Sequence, residues 1–254
     1  TGSGLVSSPE ATEACANEIL ARLQRSTRPI IICGRLLHQK HVPFVESLAR
    51  QVGCPVAVMS DAKGIYDEAS TEFIGVSWGA LSSPSVEAIT DAADLQICIG
   101  AQVHDFNTVA FTMLHTPEKR IEINESGTMV SFRGTYFNVL GGDILETLAF
   151  ACGARSSGNS VVPQKSALLD DYKRLTAANS LRRTIGAVGP MGGGARLRLV
   201  DIQREVQTLL NRQTASCLIV DTGDALFWAP QLELASSACS FHSQMGYASI
   251  GWSI

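Results

Sequence analysis

Pro29-Ile30-Ile31-Ile32-Cys33-Gly34 is a short apolar run opened by a proline and stopped by a glycine. Its length and β-branched content suit a strand buried on both faces, the kind found inside a parallel sheet with helices above and below. The flanking sequence extends the pattern. Val42 to Val52 reads as a helix ended by Gly53, and Pro55-Val56-Ala57-Val58-Met59 as a second buried strand. Pro84 opens a helix through about Ala92. Leu95-Gln96-Ile97-Cys98-Ile99-Gly100 and Arg120-Ile121-Glu122-Ile123 read as strands, and Asp143 to Cys152 as a helix. Upstream, residues 8–25 predict a helix with Ser8 as N-cap, Pro9 in the first helical position and Ala14, Ile19, Leu20 and Leu23 as its apolar stripe. Strands alternating with helices imply βαβ units, a parallel sheet and right-handed crossovers. The expected fold class is α/β, with a Rossmann-like central domain over residues 28–153 preceded by an entry helix and linker over 1–27.

Downstream the pattern weakens and then restarts. Residues 154–163 are rich in Ser, Gly and Asn and lack apolar periodicity, so 154–189 reads as a linker, with a helical stretch from Lys165 to Ala178 that crosses between domains. After the cluster Gly189 to Gly194, Leu199 to Leu210 reads as an amphipathic helix. Cys217-Leu218-Ile219-Val220 reads as a buried strand and Asp221-Thr222-Gly223-Asp224 as the turn at its C-terminal end. Residues 190–254 are thus expected to begin a second, incomplete α/β domain. The chain starts without methionine and stops inside an apolar stretch, and the expectation is a piece of something longer.

Composition excludes several classes. Of 254 residues, 45% are hydrophobic and 17% charged, with a net charge of −4. That mild acidity gives no general attraction to nucleic acid or to anionic membranes, and no apolar run is long enough to span a bilayer. The cysteines, Cys15, Cys33, Cys54, Cys98, Cys152, Cys217 and Cys239, are odd in number, widely spaced and without a C-x-x-C pair. They read as buried hydrophobes in a reducing, cytoplasmic compartment.

Most candidate chemistry has a plainer reading beside it. Gly189-Pro190-Met191-Gly192-Gly193-Gly194 is followed by Ala195-Arg196, not the Lys-Ser or Lys-Thr that a P-loop needs, and reads as a linker. Gly34-Arg35-Leu36-Leu37 has one glycine where a dinucleotide fingerprint has three. His38 and His41 share a spacing compatible with one helix face but have no third ligand nearby, and read as surface histidines. His104-Asp105 follows a strand end, where open α/β sheets place ligands, or is an ordinary loop histidine. No catalytic residue and no metal ligand is assigned to the chain.

The most specific segments lie near the end. Thr222-Gly223-Asp224-Ala225-Leu226-Phe227 resembles the T-G-D-S-x-F turn of pyruvate and indolepyruvate decarboxylases. Gln244-Met245-Gly246-Tyr247-Ala248-Ser249-Ile250-Gly251-Trp252-Ser253 resembles their Q-M-x-W-G-S-I-G-[WY]-S run. Earlier, Gly75-Val76-Ser77-Trp78-Gly79 with Ser82-Ser83-Pro84-Ser85-Val86-Glu87, then Ala93-Asp94-Leu95, then Asp105-Phe106-Asn107-Thr108, resemble family segments in the same order. The chain is therefore similar to thiamine diphosphate-dependent 2-oxo acid decarboxylases over nearly its whole length.

The resemblance implies an activity and a set of sites. Pyruvate is the default 2-oxo acid substrate, with indolepyruvate and phenylpyruvate open, and the cofactors are thiamine diphosphate and Mg²⁺. Thr222, Gly223, Asp224, Ala248, Ser249 and Ile250 would line the cofactor, the Ala248 carbonyl accepting from its aminopyrimidine and Ile250 wedging its bent shape. The magnesium-binding segment would follow Ile254, and the domain carrying the activating glutamate would precede Thr1, so this chain alone is expected to be inactive. The full-length parent would be a homodimer or homotetramer. Ala225 for serine, Ala248 for glycine and Gly246-Tyr247 depart from the family pattern. A non-catalytic interaction or scaffold subunit, or an unrelated nucleotide-binding α/β module, are the alternatives.

Overall fold

The computed structural model describes residues 7–113, 117–124, 129–132, 135–155, 166–185, 198–213, 215–234 and 240–243. Its frame is a seven-stranded sheet. The strands are β1 (Pro29–Cys33), β2 (Val56–Met59), β3 (Phe73–Ser77), β4 (Leu95–Ile99), β5 (Arg120–Ile123), β6 (Met129–Phe132) and β7 (Thr135–Asn138), in spatial order β3-β2-β1-β4-β5-β6-β7. The first five are parallel, and β6 and β7 continue the sheet antiparallel. The order turns back between β1 and β4, and the loops leaving those two strands face each other there. At such a reversal an open sheet of this type leaves a crevice.

Burial explains the continuous apolar strands. Along β1, Ile31 and Cys33 enter the core on one face while Ile30 and Ile32 enter a second core on the other. Side chains alternate along a strand, so only a run apolar at every position can serve both faces. Helices α1 (Pro9–Arg25), α2 (Val42–Val52) and α4 (Gly141–Arg155) cover the first face. Helices α3 (Pro84–Asp91) and α5 (Ala167–Ile185) cover the second. A fully buried aliphatic side chain contributes roughly 2 kcal/mol, and Ile30, Ile31, Ile32, Ile97 and Ile99 are each no more than 1% exposed.

The start of β1 is tied to the start of β4 by one carboxylate. Asp94 accepts from the backbone N–H of Thr27 at 2.9 Å and of Arg28 at 3.0 Å, from Thr27 Oγ1 at 3.0 Å, and from Ser26 Oγ. Partial burial alone would raise this carboxyl, but the hydrogen bonds from Ser26, Thr27 and Arg28 outweigh it and hold Asp94 below the ordinary aspartate range. The Arg28 guanidinium then donates to Ala92 O at 3.1 Å and to Asp171 Oδ2 at 2.7 Å, which fastens α5 to the same corner.

Several expectations change. Ser8 occupies the N-cap position of α1 but makes no side-chain cap bond; Thr12 donates to its carbonyl instead. Ala14 is exposed, and Cys15 and Ala16 take the inward positions beside Ile19, Leu20 and Leu23. The stretch expected to cross between domains is α5, whose Leu168 is buried against Ile30, Ile32 and Ile89; it roofs the second face of the sheet because the apolar faces of those strands need a cover. Helix α4 continues to Arg155, into the segment read as linker. The Gly189–Gly194 cluster lies outside the described residues.

Residues 198–243 add α6 (Leu199–Leu210), β8 (Cys217–Val220), α7 (Asp224–Trp228) and β9 (Ser240–Ser243), with β8 and β9 paired in parallel as a separate two-stranded sheet. Expected to be buried, β8 is so only at Val220; Cys217 and Ile219 are exposed, because only one face of this small sheet packs on Leu210, Ala229 and Leu232.

Candidate cofactor-binding turn

β8 delivers the chain to Asp221-Thr222-Gly223, and α7 begins at Asp224. Asp221 Oδ1 accepts from Thr222 N at 2.7 Å and shapes the turn locally. Gly223 has φ 139° and ψ −159°, a region that only glycine occupies without strain. The requirement is conformational, because among the described residues no heavy atom lies within 4 Å of a Cβ built there. Both Gly223 and Asp224 are exposed. The exposed backbone edge at Gly223 lets a bound group come close to the main chain, and the exposed Asp224 carboxylate beside it is a hydrogen-bond acceptor. Leu226, two residues on, is buried and donates its N–H to Gly223 O at 3.0 Å, which closes the turn. Of the residues read as cofactor-lining, Thr222, Gly223 and Asp224 therefore form one turn; Ala248, Ser249 and Ile250 lie outside the described residues.

The turn rests on the central sheet. The Phe227 ring stacks on Trp78, with centroids 5.8 Å apart and planes 7° from parallel. Trp78 is 2% exposed. Its indole N–H donates to Phe106 O at 2.8 Å and its backbone N–H to Ser82 Oγ at 2.7 Å. Phe106 is held in turn by the loop after β4, where His104 N donates to Asn107 Oδ1 at 3.0 Å and Thr108 Oγ1 to His104 O at 2.6 Å. The segments around Trp78-Gly79, Ser82-Ser83-Pro84 and Asp105-Phe106-Asn107-Thr108 thus converge on one indole.

A second contact lies beside it. Lys63 Nζ sits 2.8 Å from both oxygens of Glu68, with each side chain 1% exposed. Glu68 Oε2 also accepts from Leu234 N at 3.0 Å, and the Lys63 ammonium lies 5.8 Å from the centroid of the Phe241 ring. Burial pulls Lys63 below its usual value while the Glu68 carboxylate pulls it back. Gln231 Nε2 donates to Leu81 O at 3.4 Å. Sequence reasoning missed Lys63, Glu68 and Trp78 as a group; the only available signal was that Trp78 fell inside a family-like segment.

The other candidates are placed differently. Gly34 uses its missing side chain for the protein itself, since a Cβ there would fall 2.4 Å from Gly100 O and from Ala101 Cα. Leu36 N donates to Gly100 O at 3.0 Å, so the loops after β1 and β4 meet backbone to backbone. His104 lies on this side of the sheet, its Nδ1 3.9 Å from Asp105 Oδ1. Burial pushes the nearby Asp61 carboxyl up, and Asn107, Arg35 and His104 pull it part of the way back. His38 accepts from Lys40 N and caps a short turn, with its ring centroid 6.0 Å from that of His41. Cys15, Cys33, Cys54, Cys98 and Cys152 are buried; burial pushes Cys15 and Cys98 up to about 12 and Cys33 and Cys54 higher still, so these four are not poised as thiolates at neutral pH. Cys217 is an exposed free thiol.

Comparison with known proteins finds relatives of the chain. A family model described as thiamine pyrophosphate enzyme, central domain, matches residues 16–149. Pyruvate decarboxylase 4 of Arabidopsis thaliana is 30% identical over 244 residues, covering 95% of this chain and 37% of the relative. Pyruvate decarboxylase of Neurospora crassa is 31% identical over 256 residues, covering 98% of this chain and 40% of the relative. Pyruvate decarboxylase 2 of Pisum sativum is 29% identical over 244 residues, covering 95% and 55% respectively. The chain thus spans roughly two fifths to just over half of the length of these curated relatives.

Proposed function

Because the chain belongs to the thiamine pyrophosphate enzyme family, whose central-domain model spans more than half of it, we propose that it is part of a non-oxidative 2-oxo acid decarboxylase. Pyruvate is the proposed substrate, with acetaldehyde and carbon dioxide as products. The observation that carries the reading is the Thr222-Gly223-Asp224 turn, with its glycine-only backbone and its exposed Gly223 and Asp224. The curated relatives named pyruvate decarboxylase support the substrate class.

In this reading, residues 28–153 with the helices that cover them are a supporting unit, and residues from about 190 onward begin the cofactor-binding domain. Gly223 lets the main chain approach the diphosphate, and the Asp224 side chain lies beside the cofactor. Ala248, Ser249 and Ile250 are proposed to complete the wall, on the motif alone. Thiamine diphosphate, when bound, supplies the electron sink that decarboxylation needs, and no protein nucleophile is assigned. Mg²⁺ is the proposed counter-ion of the diphosphate, with no ligand assigned to this chain. Activity is proposed to require segments this chain does not contain, in a homodimer or homotetramer. A cytoplasmic location is proposed from the free cysteines; among the described residues no helix is long and apolar enough to cross a membrane.

The test is release of carbon dioxide and aldehyde from pyruvate, phenylpyruvate and indolepyruvate by the protein as produced from its gene, with thiamine diphosphate and Mg²⁺ supplied. Turnover of pyruvate is the expected result. Cofactor binding without turnover of any of the three would identify a non-catalytic relative, and absence of cofactor binding would overturn the assignment altogether.

A further inference from the structure

We infer that Trp78 is a positioning residue for the cofactor-facing turn and acts through its stack on Phe227; this rests on the reading of Thr222-Gly223-Asp224 as a cofactor wall. The local chain does little to fix the direction of Asp224. Gly223 precedes it, exposed, with no heavy atom of the described residues within 4 Å of where a Cβ would sit, and α7 has no side-chain cap hydrogen bond. Asp221 Oδ1 and Leu226 N close the turn locally, but the glycine between them tolerates more than one backbone direction into α7. What sets that direction is the rotation of α7 about its own axis, fixed by the side chains it buries. Leu226 goes to the interior. Phe227 lies three residues beyond Asp224, close to one helical turn, and is the ring that meets the central domain.

Trp78 is well suited to fix that ring. It is itself immobilised at three points: its indole N–H on Phe106 O, its backbone N–H on Ser82 Oγ, and its ring tilted at 52° against Phe106. Phe227 is 46% exposed, so simple burial contributes only part of what holds it. The near-parallel face contact contributes a preference of orientation, which burial lacks. A rigid indole held on the central sheet thus aims a carboxylate on a separate element.

The test compares Phe227→Leu, Trp78→Ala and Trp78→Phe with wild type in the assembled holoenzyme. Thiamine diphosphate affinity is measured by calorimetry in the presence of Mg²⁺, and turnover as a function of cofactor concentration. Loss of the stack is expected to raise the half-saturating cofactor concentration about two- to tenfold in Phe227→Leu and Trp78→Ala, with kcat at saturating cofactor within about twofold of wild type. Trp78→Phe keeps a ring under Phe227 and is expected to recover most of the affinity. Phe227→Leu guards against simple misfolding, because the side chain is half exposed and leucine keeps its apolar bulk. Unchanged half-saturation in Phe227→Leu, or a fall in kcat that excess cofactor does not restore, would overturn the inference while leaving the cofactor reading intact. Failure of the wild-type protein to bind thiamine diphosphate would overturn both.

Discussion

The sharpest stability test is the pair Lys63–Glu68. Both side chains are 1% exposed, and the ammonium faces both carboxylate oxygens at 2.8 Å. Lys63→Met would leave the Glu68 carboxylate buried with Leu234 N as its remaining hydrogen-bond donor. Glu68→Gln would keep an acceptor for Leu234 but strand the ammonium. Removing one member of a buried pair costs about 3–5 kcal/mol, because the other charge stays in a medium that cannot solvate it. For a chain of this size that corresponds to a fall in Tm of roughly 10 °C. The double variant Lys63→Met/Glu68→Gln buries no charge, so its cost should fall short of the sum of the singles by at least about 2 kcal/mol. Urea unfolding of the four proteins closes the cycle. Single-variant costs below about 1 kcal/mol that simply add would mean that water reaches the pair, and the burial argument would fail.

Three further outcomes are expected. Asp94→Ala removes the acceptor shared by Ser26, Thr27 and Arg28 and should cost about 2 kcal/mol at pH 7, the exposed position allowing water to replace part of the loss. Its folded-state pKa is depressed, so this stabilisation is present above pH ~4 and is lost as pH falls through the folded value; the gap between wild type and variant in urea unfolding should therefore shrink as pH drops below 4. Gly34→Ala puts a methyl group 2.4 Å from the Gly100 carbonyl oxygen and should cost about 3 kcal/mol by calorimetry, since the nearest atoms it meets, Gly100 O and Ala101 Cα and N, are all backbone. Gly223→Ala meets no atom of the described residues but must adopt a glycine-only conformation; about 1–3 kcal/mol of local strain should weaken thiamine diphosphate binding several-fold, and wild-type affinity in that variant would remove Gly223 from the proposed wall.

The fold was legible wherever one period dominated. Val42 to Val52 reads as a helix from its spacing and is one, to the residue; Ile30 to Cys33 reads as doubly buried and is. β3 gave no such signal, because Gly75 interrupts Phe73-Ile74-Gly75-Val76-Ser77 and the register with β2 shifts beside it. The antiparallel β6–β7 pair breaks the parallel rule that the earlier strands establish, and its mixed polar residues carry no period of their own. β8 is as apolar as β1, yet half of it is exposed, because composition records what a strand could bury and not what is there to cover it. The turn at Gly223 was legible from its motif. Its support was not, since Trp78 and Phe227 are far apart in sequence and only the folded chain stacks them.

The contact between residues 224–234 and the central sheet also bears on solubility. β3 is an edge strand, and an uncovered edge offers unpaired backbone groups to any other chain. Here the turn Ala229–Gln231 packs against β3, while α1 packs at the opposite edge, β7. The segment that carries the proposed cofactor turn therefore doubles as a guard strip for the sheet. A substitution that loosens it would bare an edge suited to strand addition, so self-association, visible by light scattering, would accompany any large displacement of the turn.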